Sequence, residues 1–368
     1  MKRKTTSIGR SGINSTPAAL PVGLLPEVRE MILAARERLA RQVDSGLVTL
    51  CWSLGRRIRQ GILQEKRAEY GEQIVSAVGR QLEAEFGRGF GKRNLFRMIR
   101  FAEAFPDFKI VSALMTQLGW THFLHIIPMD DPLKRDFYAE MCRVERWSTR
   151  TLEKKIQSML FERSALSRKP DKLIEQELTA LRKEDKLTPD LVFRDPYLLD
   201  FLGLKDTYSE KDLEAAILRE MEAFILEIGV GFAFLERQKR ITVDSDDYYL
   251  DLLFYHRRLR RLVAIELKIG DFKPGDKGQM ELYLRWLDKY ERQKDEESPI
   301  GLILCAGKKE ETVRLLDLEA VGIRVASYWT EALPKEQIER KLHEAVILAR
   351  ERLRAPAGEP RMMKGKVK

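Results

Sequence analysis

YYLDLLFYHRRLRRLVAIELKI, residues 248–269, consists of two apolar runs joined by a basic turn. Each run carries charge where a buried strand should carry none. Asp251 heads Leu252-Leu253-Phe254-Tyr255, and Glu266 and Lys268 sit within Val263-Ala264-Ile265-Glu266-Leu267-Lys268-Ile269. Charged groups in apolar strands are costly unless they are paired or metal-bound. The strand period of two puts Glu266 and Lys268 on one face. Positions 251 and 266 are equidistant from a turn centred between Arg258 and Leu259, so a symmetric, even-length loop sets Asp251 across from Glu266 on one sheet face. An odd loop or a single bulge would turn one carboxylate away. Arg-Leu is not a favoured two-residue turn, and the expected loop is the four residues Arg257–Arg260.

Two adjacent carboxylates with a lysine one pleat away suit a hard cation, Mg²⁺ or Mn²⁺, which binds through one or two carboxylates and keeps several waters. Lys268 could position or deprotonate such a water, because a lysine pKa falls readily in apolar sites. The spacing equally admits a structural Asp251–Lys268 salt bridge.

Working outward, Ser209 is an expected N-cap and Gly229 an expected stop for one long helix. Strands are expected over Phe232–Val243, Tyr248–Tyr255, Leu262–Ile269, Ile300–Cys305 and Ile323–Tyr328. Helices are expected near Lys277–Tyr290, Glu311–Leu318 and Lys335–Leu353. That order implies a mixed sheet flanked by helices. Upstream, apolar stripes at Leu25, Val28, Ile32, Ala35 and at Val43, Leu47, Leu50, Leu54 mark a helical region. The expected organisation is a disordered basic tail (1–22), an all-helical, helix-turn-helix-like domain (23–163), a structured connector (164–206), a mixed α/β domain (207–353) and a second basic tail (354–368).

The 368 residues include 66 Lys and Arg against 57 Asp and Glu, a net charge of +9. An excess of cations favours polyanionic partners, because each neutralised phosphate releases counterions. Cys51, Cys142 and Cys305 are too far apart for a disulfide framework or a CxxC pair, pointing to a reducing compartment. The apolar stretch Ala18–Leu25 is short and broken by Pro21, and no run approaches a membrane span, so a cytoplasmic location is expected.

The set Asp251…Glu266-Leu267-Lys268 resembles the signature of the PD-(D/E)XK nuclease superfamily. Gln279 and Tyr283, one helical turn apart, are similar to the QxxxY element of its RecB-like branch. From about Leu24 to Tyr328 the chain resembles the YhcG-like family, an N-terminal helical domain followed by such a nuclease domain. The matching stretches are Tyr70-Gly71, Glu85-Phe86-Gly87, Trp120-Thr121-His122, Gly231-Phe232-Ala233-Phe234, Asp251 to His256 and Ile265 to Ile269. The resemblance implies a restriction-endonuclease-like fold and Mg²⁺- or Mn²⁺-dependent cleavage of nucleic acid, DNA ahead of RNA, in repair, recombination or defence. It implies that Asp251 and Glu266 hold the metal, that Lys268 serves the water, and that Gln279 and Tyr283 support the site. Glu214 would be the additional helix carboxylate, with Glu220 as the alternative. Leu250 stands where the superfamily's name has proline, and the literal Pro189-Asp190 precedes the nuclease-like segment.

Two basic clusters are candidate phosphate contacts. His256, Arg257, Arg258, Arg260 and Arg261 surround the hairpin turn, and Arg93, Arg97 and Arg100 share one face of a helix whose core stripe is Leu95, Ile99, Ala102 and Phe105. The competing roles are solvated surface and protection of a sheet edge. Phe86 to Leu95 fails as a P-loop, since Phe86 replaces the first glycine and Arg93 the Ser or Thr. His122 and His125 lack a completing ligand, so core or capping roles are expected. The alternatives to a DNA nuclease are a non-catalytic binding or assembly module and an RNA-directed nuclease. A homodimer would suit two-strand cleavage.

Overall fold

The computed structural model describes residues 24–63, 68–204, 207–331 and 333–354. Both expected tails lie outside these residues, except that Arg354 closes the last helix. The chain divides into two compact units, Met1–Ala102 and Glu103–Lys368.

The first unit is helical: α1 (Leu24–Leu63), α2 (Ala68–Phe86) and α3 (Lys92–Ala104). The face of α1 that packs is not the expected one. Val43 is 70% exposed, and Leu47 and Leu50 are also exposed, whereas Val48, Cys51 and Trp52 are buried. Gly55 explains the choice. A Cβ there would meet the Met98 carbonyl oxygen at 1.8 Å, so α1 lies against α3 on the side that carries the glycine. The α3 stripe is as expected, with Leu95, Ile99 and Ala102 buried and joined by Met98 and Phe101.

The second unit opens with short helices: α4 (Phe108–Leu114), α5 (Trp120–Ile126), α6 (Pro132–Glu145), α7 (Thr149–Gln157), α8 (Leu160–Arg163), α9 (Asp171–Glu184) and α10 (Pro189–Val192). His122 accepts from Gly119 N and reaches the Trp147 carbonyl, a capping role on α5. Asp190 of α10 pairs with Lys169 and Arg324. Arg163 is fully buried. Its guanidinium donates to the Ser158 and Pro196 carbonyls and to Glu227, which also accepts from Arg194 and from Leu198 N. Burying a guanidinium is tolerable only with donors matched in this way.

Six strands follow: β1 (Tyr197–Leu198), β2 (Phe232–Val243), β3 (Asp246–His256), β4 (Arg261–Leu267), β5 (Ile300–Cys305) and β6 (Ile323–Trp329). They form one mixed sheet in the order β1-β6-β5-β4-β3-β2, antiparallel from β2 to β4 and parallel from β4 through β5 and β6 to β1. The helix expected over 209–229 is two, α11 (Glu210–Arg219) and α12 (Met221–Ile228), broken at Glu220, where the backbone turns to φ −103, ψ 33. Ser209 caps it through a capping box, and Gly229 ends it at φ 133. Between β4 and β5 runs α13 (Pro274–Tyr290), which buries Met280, Tyr283, Leu284 and Leu287 on the sheet face that carries Leu253, Ala264 and Ile303. Gly301 admits this approach, since a Cβ there would lie 2.6 Å from Met280. Then come α14 (Glu310–Leu315) and α15 (Lys335–Arg354). No helix among the described residues is long and apolar enough to cross a membrane.

Candidate active site

The hairpin folds as its symmetry requires. Leu252 pairs with Ile265, Leu253 with Ala264 and Phe254 with Val263, and the turn is the four residues Arg257–Arg260. One further step of this register sets Asp251 opposite Glu266, on the α13 face with Leu253 and Ala264. Leu267 N donates to Asp251 Oδ2 at 2.8 Å, and Lys268 Nζ donates to Glu266 Oε1 at 3.0 Å. Glu266 is 5% exposed, and its Oε2 has no hydrogen-bond partner. A buried carboxylate oxygen without a donor is rare in folded proteins and asks for a cation, a water or a proton. Lys268 pairs with Glu266, so the alternative Asp251–Lys268 bridge does not form.

The helices complete the cluster. Gln279 Nε2 donates to the Tyr283 hydroxyl at 2.6 Å, and that hydroxyl donates to the Tyr249 carbonyl at 3.2 Å, two residues before Asp251. Glu214 on α11 reaches Asp251 through Gln238, whose Nε2 donates to Glu214 Oε2 at 2.8 Å and to Asp251 Oδ1 at 3.0 Å. Glu220 instead lies 3.6 Å from its neighbour Arg219. Two residues here were not singled out from the sequence. Gln238 is one. Glu210 is the other: its Oε1 accepts from Ile269 N at 3.3 Å, one turn before Glu214 on the same helix. The i, i+4 spacing of the two glutamates was the available signal.

Electrostatics follow from burial and crowding. Burial and then the Asp251 charge push the Glu266 carboxyl up to about 7. Burial likewise raises Asp251, against the hydrogen bonds from Leu267 and Gln238, and raises Glu214, against Gln238. For Lys268, burial favours the neutral amine, but Glu266, Glu210 and Asp276 outweigh it and raise the ammonium above its ordinary value. Of the two roles expected for Lys268, positioning a water or deprotonating it, these charges favour the first. With carboxylates on several sides and no cation among them, the ammonium is the favoured form of Lys268.

The basic clusters fare unevenly. His256 is fully buried, and its Nδ1 accepts from Leu259 N at 3.1 Å, so it caps the turn from within and cannot grip a phosphate. Burial holds its imidazole down at about 4. Arg258 folds back onto the Asp185 carbonyl at 3.0 Å, while Arg260 and Arg261 each lie 3.9 Å from Glu297. Arg257 is exposed. The tip begins six residues along from Asp251, roughly 20 Å at strand rise, too far to share its phosphate. On α3, Arg93 and Arg100 are exposed, and Arg97 is half-buried and hydrogen-bonded to Asn94.

Among the described residues, no three His, Cys, Asp or Glu side chains are grouped so as to hold a metal ion by themselves. The arrangement is instead two carboxylates with an uncommitted buried oxygen, the donor set with which Mg²⁺ retains water and phosphate ligands.

Comparison with known proteins places the chain in a family. The DUF1016 N-terminal domain model matches residues 27–163, and the YhcG PDDEXK nuclease domain model matches residues 190–344. The chain is 34% identical over 310 residues to "Putative nuclease YhcG" of Escherichia coli (strain K12), covering 76% of this chain and 81% of that one. Among solved structures, a repair endonuclease from Pyrococcus abyssi is 20% identical, covering 35% of this chain and 50% of its own, with a TM-score of 0.24. EndoMS in apo form is 18% identical over 35% and 49%, also at 0.24. These two matches span about half of the solved chains, and the fold described above rests on strand order and register instead. With the identity extending across both segments, the chain belongs to the YhcG family, a DUF1016 N-terminal domain joined to a PDDEXK nuclease domain.

Proposed function

We propose that this protein is a divalent-cation-dependent nuclease that hydrolyses phosphodiester bonds in DNA at Asp251, Glu266 and Lys268. The observation that carries the proposal is the Glu266 carboxylate, buried beside Asp251 with Oε2 lacking a donor, in a chain of a nuclease family. Asp251 and Glu266 would hold the ion, Mg²⁺ or Mn²⁺. When bound, it would polarise the scissile phosphate and lower the pKa of the attacking water.

The chain's own groups do the rest. Leu267 N fixes the Asp251 carboxylate, and the Tyr283 hydroxyl on the Tyr249 carbonyl holds the strand that carries it. The Lys268 ammonium keeps Glu266 in place and offers its remaining hydrogens to the negative charge that develops on the phosphoryl oxygens. As a donor it would orient the water. Arg93 and Arg100, and Arg257 and Arg260 at the hairpin tip, are proposed to grip backbone phosphates. The tip would do so roughly six base pairs from the cut, at about 3.4 Å per step. A homodimer would supply a second site for the opposite strand.

The test is cleavage of duplex, branched and single-stranded DNA and RNA by purified protein with Mg²⁺, with Mn²⁺ and with EDTA. Cleavage of DNA that needs the cation and is abolished in Asp251→Ala is expected. Equal cleavage by wild type and Asp251→Ala rejects the site, and preference for RNA replaces the substrate.

A further inference from the structure

We propose that Gln238 is a positioning residue that links Glu214 to Asp251 and thereby sets the orientation of the Asp251 carboxylate in the proposed cation site; this rests on the nuclease function proposed above. Gln238 lies on β2, between the pairs Arg237–Leu252 and Lys239–Leu250, so it stands directly across from Asp251. Both hydrogens of its amide are used, one on Glu214 Oε2 and one on Asp251 Oδ1. An amide nitrogen donates and does not accept, so its two bonds must go to acceptors, and here both acceptors are carboxylates.

The two carboxylates come from separate elements, a helix and a strand, and like charges at this separation repel. With the amide between them, each keeps one oxygen committed to Gln238. Asp251 commits its other oxygen to Leu267 N. The orientation of both carboxylates is thus set by neutral donors before any ion arrives.

The backbone gives a second reason to assign the side chain a role. Gln238 has φ 46, in the left-handed region that costs a residue with a Cβ on the order of 1 kcal/mol and costs glycine nothing. Glycine would relieve the strand at this position. What glycine lacks is the amide, and inference from a strained residue to a functional one runs in this direction.

Mn²⁺ binding to the purified full chain, measured by calorimetry without nucleic acid, tests the assignment alongside steady-state cleavage. Gln238→Met keeps the length and removes both donors. It should weaken Mn²⁺ binding by about 10- to 100-fold, the usual effect of losing a group that orients a ligand, and lower kcat with KM for DNA unchanged. Glu214→Ala should give a similar loss, and the double variant should lose less than about twofold more, because Glu214 acts on Asp251 through Gln238. Gln238→Gly, which adopts the left-handed φ without strain, should fold yet bind Mn²⁺ as weakly as Gln238→Met, and it decides the matter if the methionine variant does not fold. Wild-type Mn²⁺ affinity and kcat in Gln238→Gly overturn the proposal while leaving the function standing, provided Asp251→Ala loses both. Additive losses in the double variant overturn it too. If Asp251→Ala retains both affinity and cleavage, the nuclease site itself falls.

Discussion

Lys268→Met keeps the stem and removes the ammonium, which isolates what that charge does. In the folded protein the ammonium lies 3.0 Å from Glu266, with side-chain exposures of 21% and 6%. Removing one partner of a fully buried pair costs about 3–5 kcal/mol, because the other charge is stranded. Here the lysine end meets solvent, which reduces the figure, while Asp251 crowds the carboxylate left behind. A loss of about 2 kcal/mol in metal-free protein at pH 8 follows, and for a unit of this size that lowers Tm by roughly 4–8 °C. A divalent ion on Asp251 and Glu266 would supply the missing positive charge. Mn²⁺ at about 100 times its Kd would return close to 3 kcal/mol. Cleavage should not return, since the donor to the developing phosphoryl charge is gone, and the rate should stay down by at least about 100-fold. Calorimetric melts in EDTA and in Mn²⁺, run beside cleavage assays, provide the comparison. A variant that melts with wild type in EDTA and cleaves at the wild-type rate refutes the reasoning. One that is destabilised and gains nothing from Mn²⁺ shows that the ammonium is structural only.

Three further outcomes are expected. His256, held neutral by burial at about 4 beside Arg258 and Arg261, has a folded pKa below its ordinary 6.5. Its stabilising contribution is therefore complete above pH 6.5 and lost as pH falls, by about 2 kcal/mol at pH 5 and about 3 kcal/mol at pH 4. His256→Asn should lack this increment in melts from pH 7.5 to 4 and leave DNA affinity unchanged; a constant gap between the two proteins across that range contradicts the buried neutral imidazole. Arg163→Met takes the guanidinium donor from the Ser158 and Pro196 carbonyls and leaves Glu227 to Arg194 and Leu198 N, and denaturant titration should show a loss of about 3 kcal/mol, with a loss below about 1 kcal/mol counting against the packing described. Arg93→Ala with Arg100→Ala should weaken DNA binding uniformly across sequences and reduce the slope of log K against log salt by about 2, whereas an unchanged slope makes that face of α3 ordinary solvated surface.

What could be read from the sequence was local. A hairpin pairs residues a few positions apart, so with an even-length loop the 251–266 symmetry gives the shared face, and the ladder follows it pair by pair. Gln279 and Tyr283 are one turn apart and hydrogen-bond each other for the same reason. Where the outcome depended on a distant segment, the pattern was ambiguous. The expected stripe of Val43, Leu47 and Leu50 on α1 faces out, and Val48, Cys51 and Trp52 are buried instead. The deciding residue was Gly55, whose missing side chain admits α3, and hydrophobicity does not register an absence. The break at Glu220 has no glycine or proline to announce it, and β1 is two residues long, too short for any periodicity.

The candidate site divides in the same way. Asp251, Glu266 and Lys268 were legible because a charge inside an apolar strand violates the rule for its neighbours, and such violations gather where chemistry is done. Gln238 violates nothing that a sequence displays. Glutamine is uncharged, the neighbouring Arg237 and Lys239 mark the strand as solvated, and its importance arises only when β2 pairs with β3 and α11 is placed alongside. His256 erred the other way, its arginine neighbours lending it a surface character that its burial denies. Polarity near a residue is thus a poor guide to its role, whereas the register that brings groups face to face is a good one. The two carboxylates that a sequence can find are oriented in part by an amide that it cannot, so the loss of one uncharged side chain should cost the site as much as the loss of the Glu214 carboxylate.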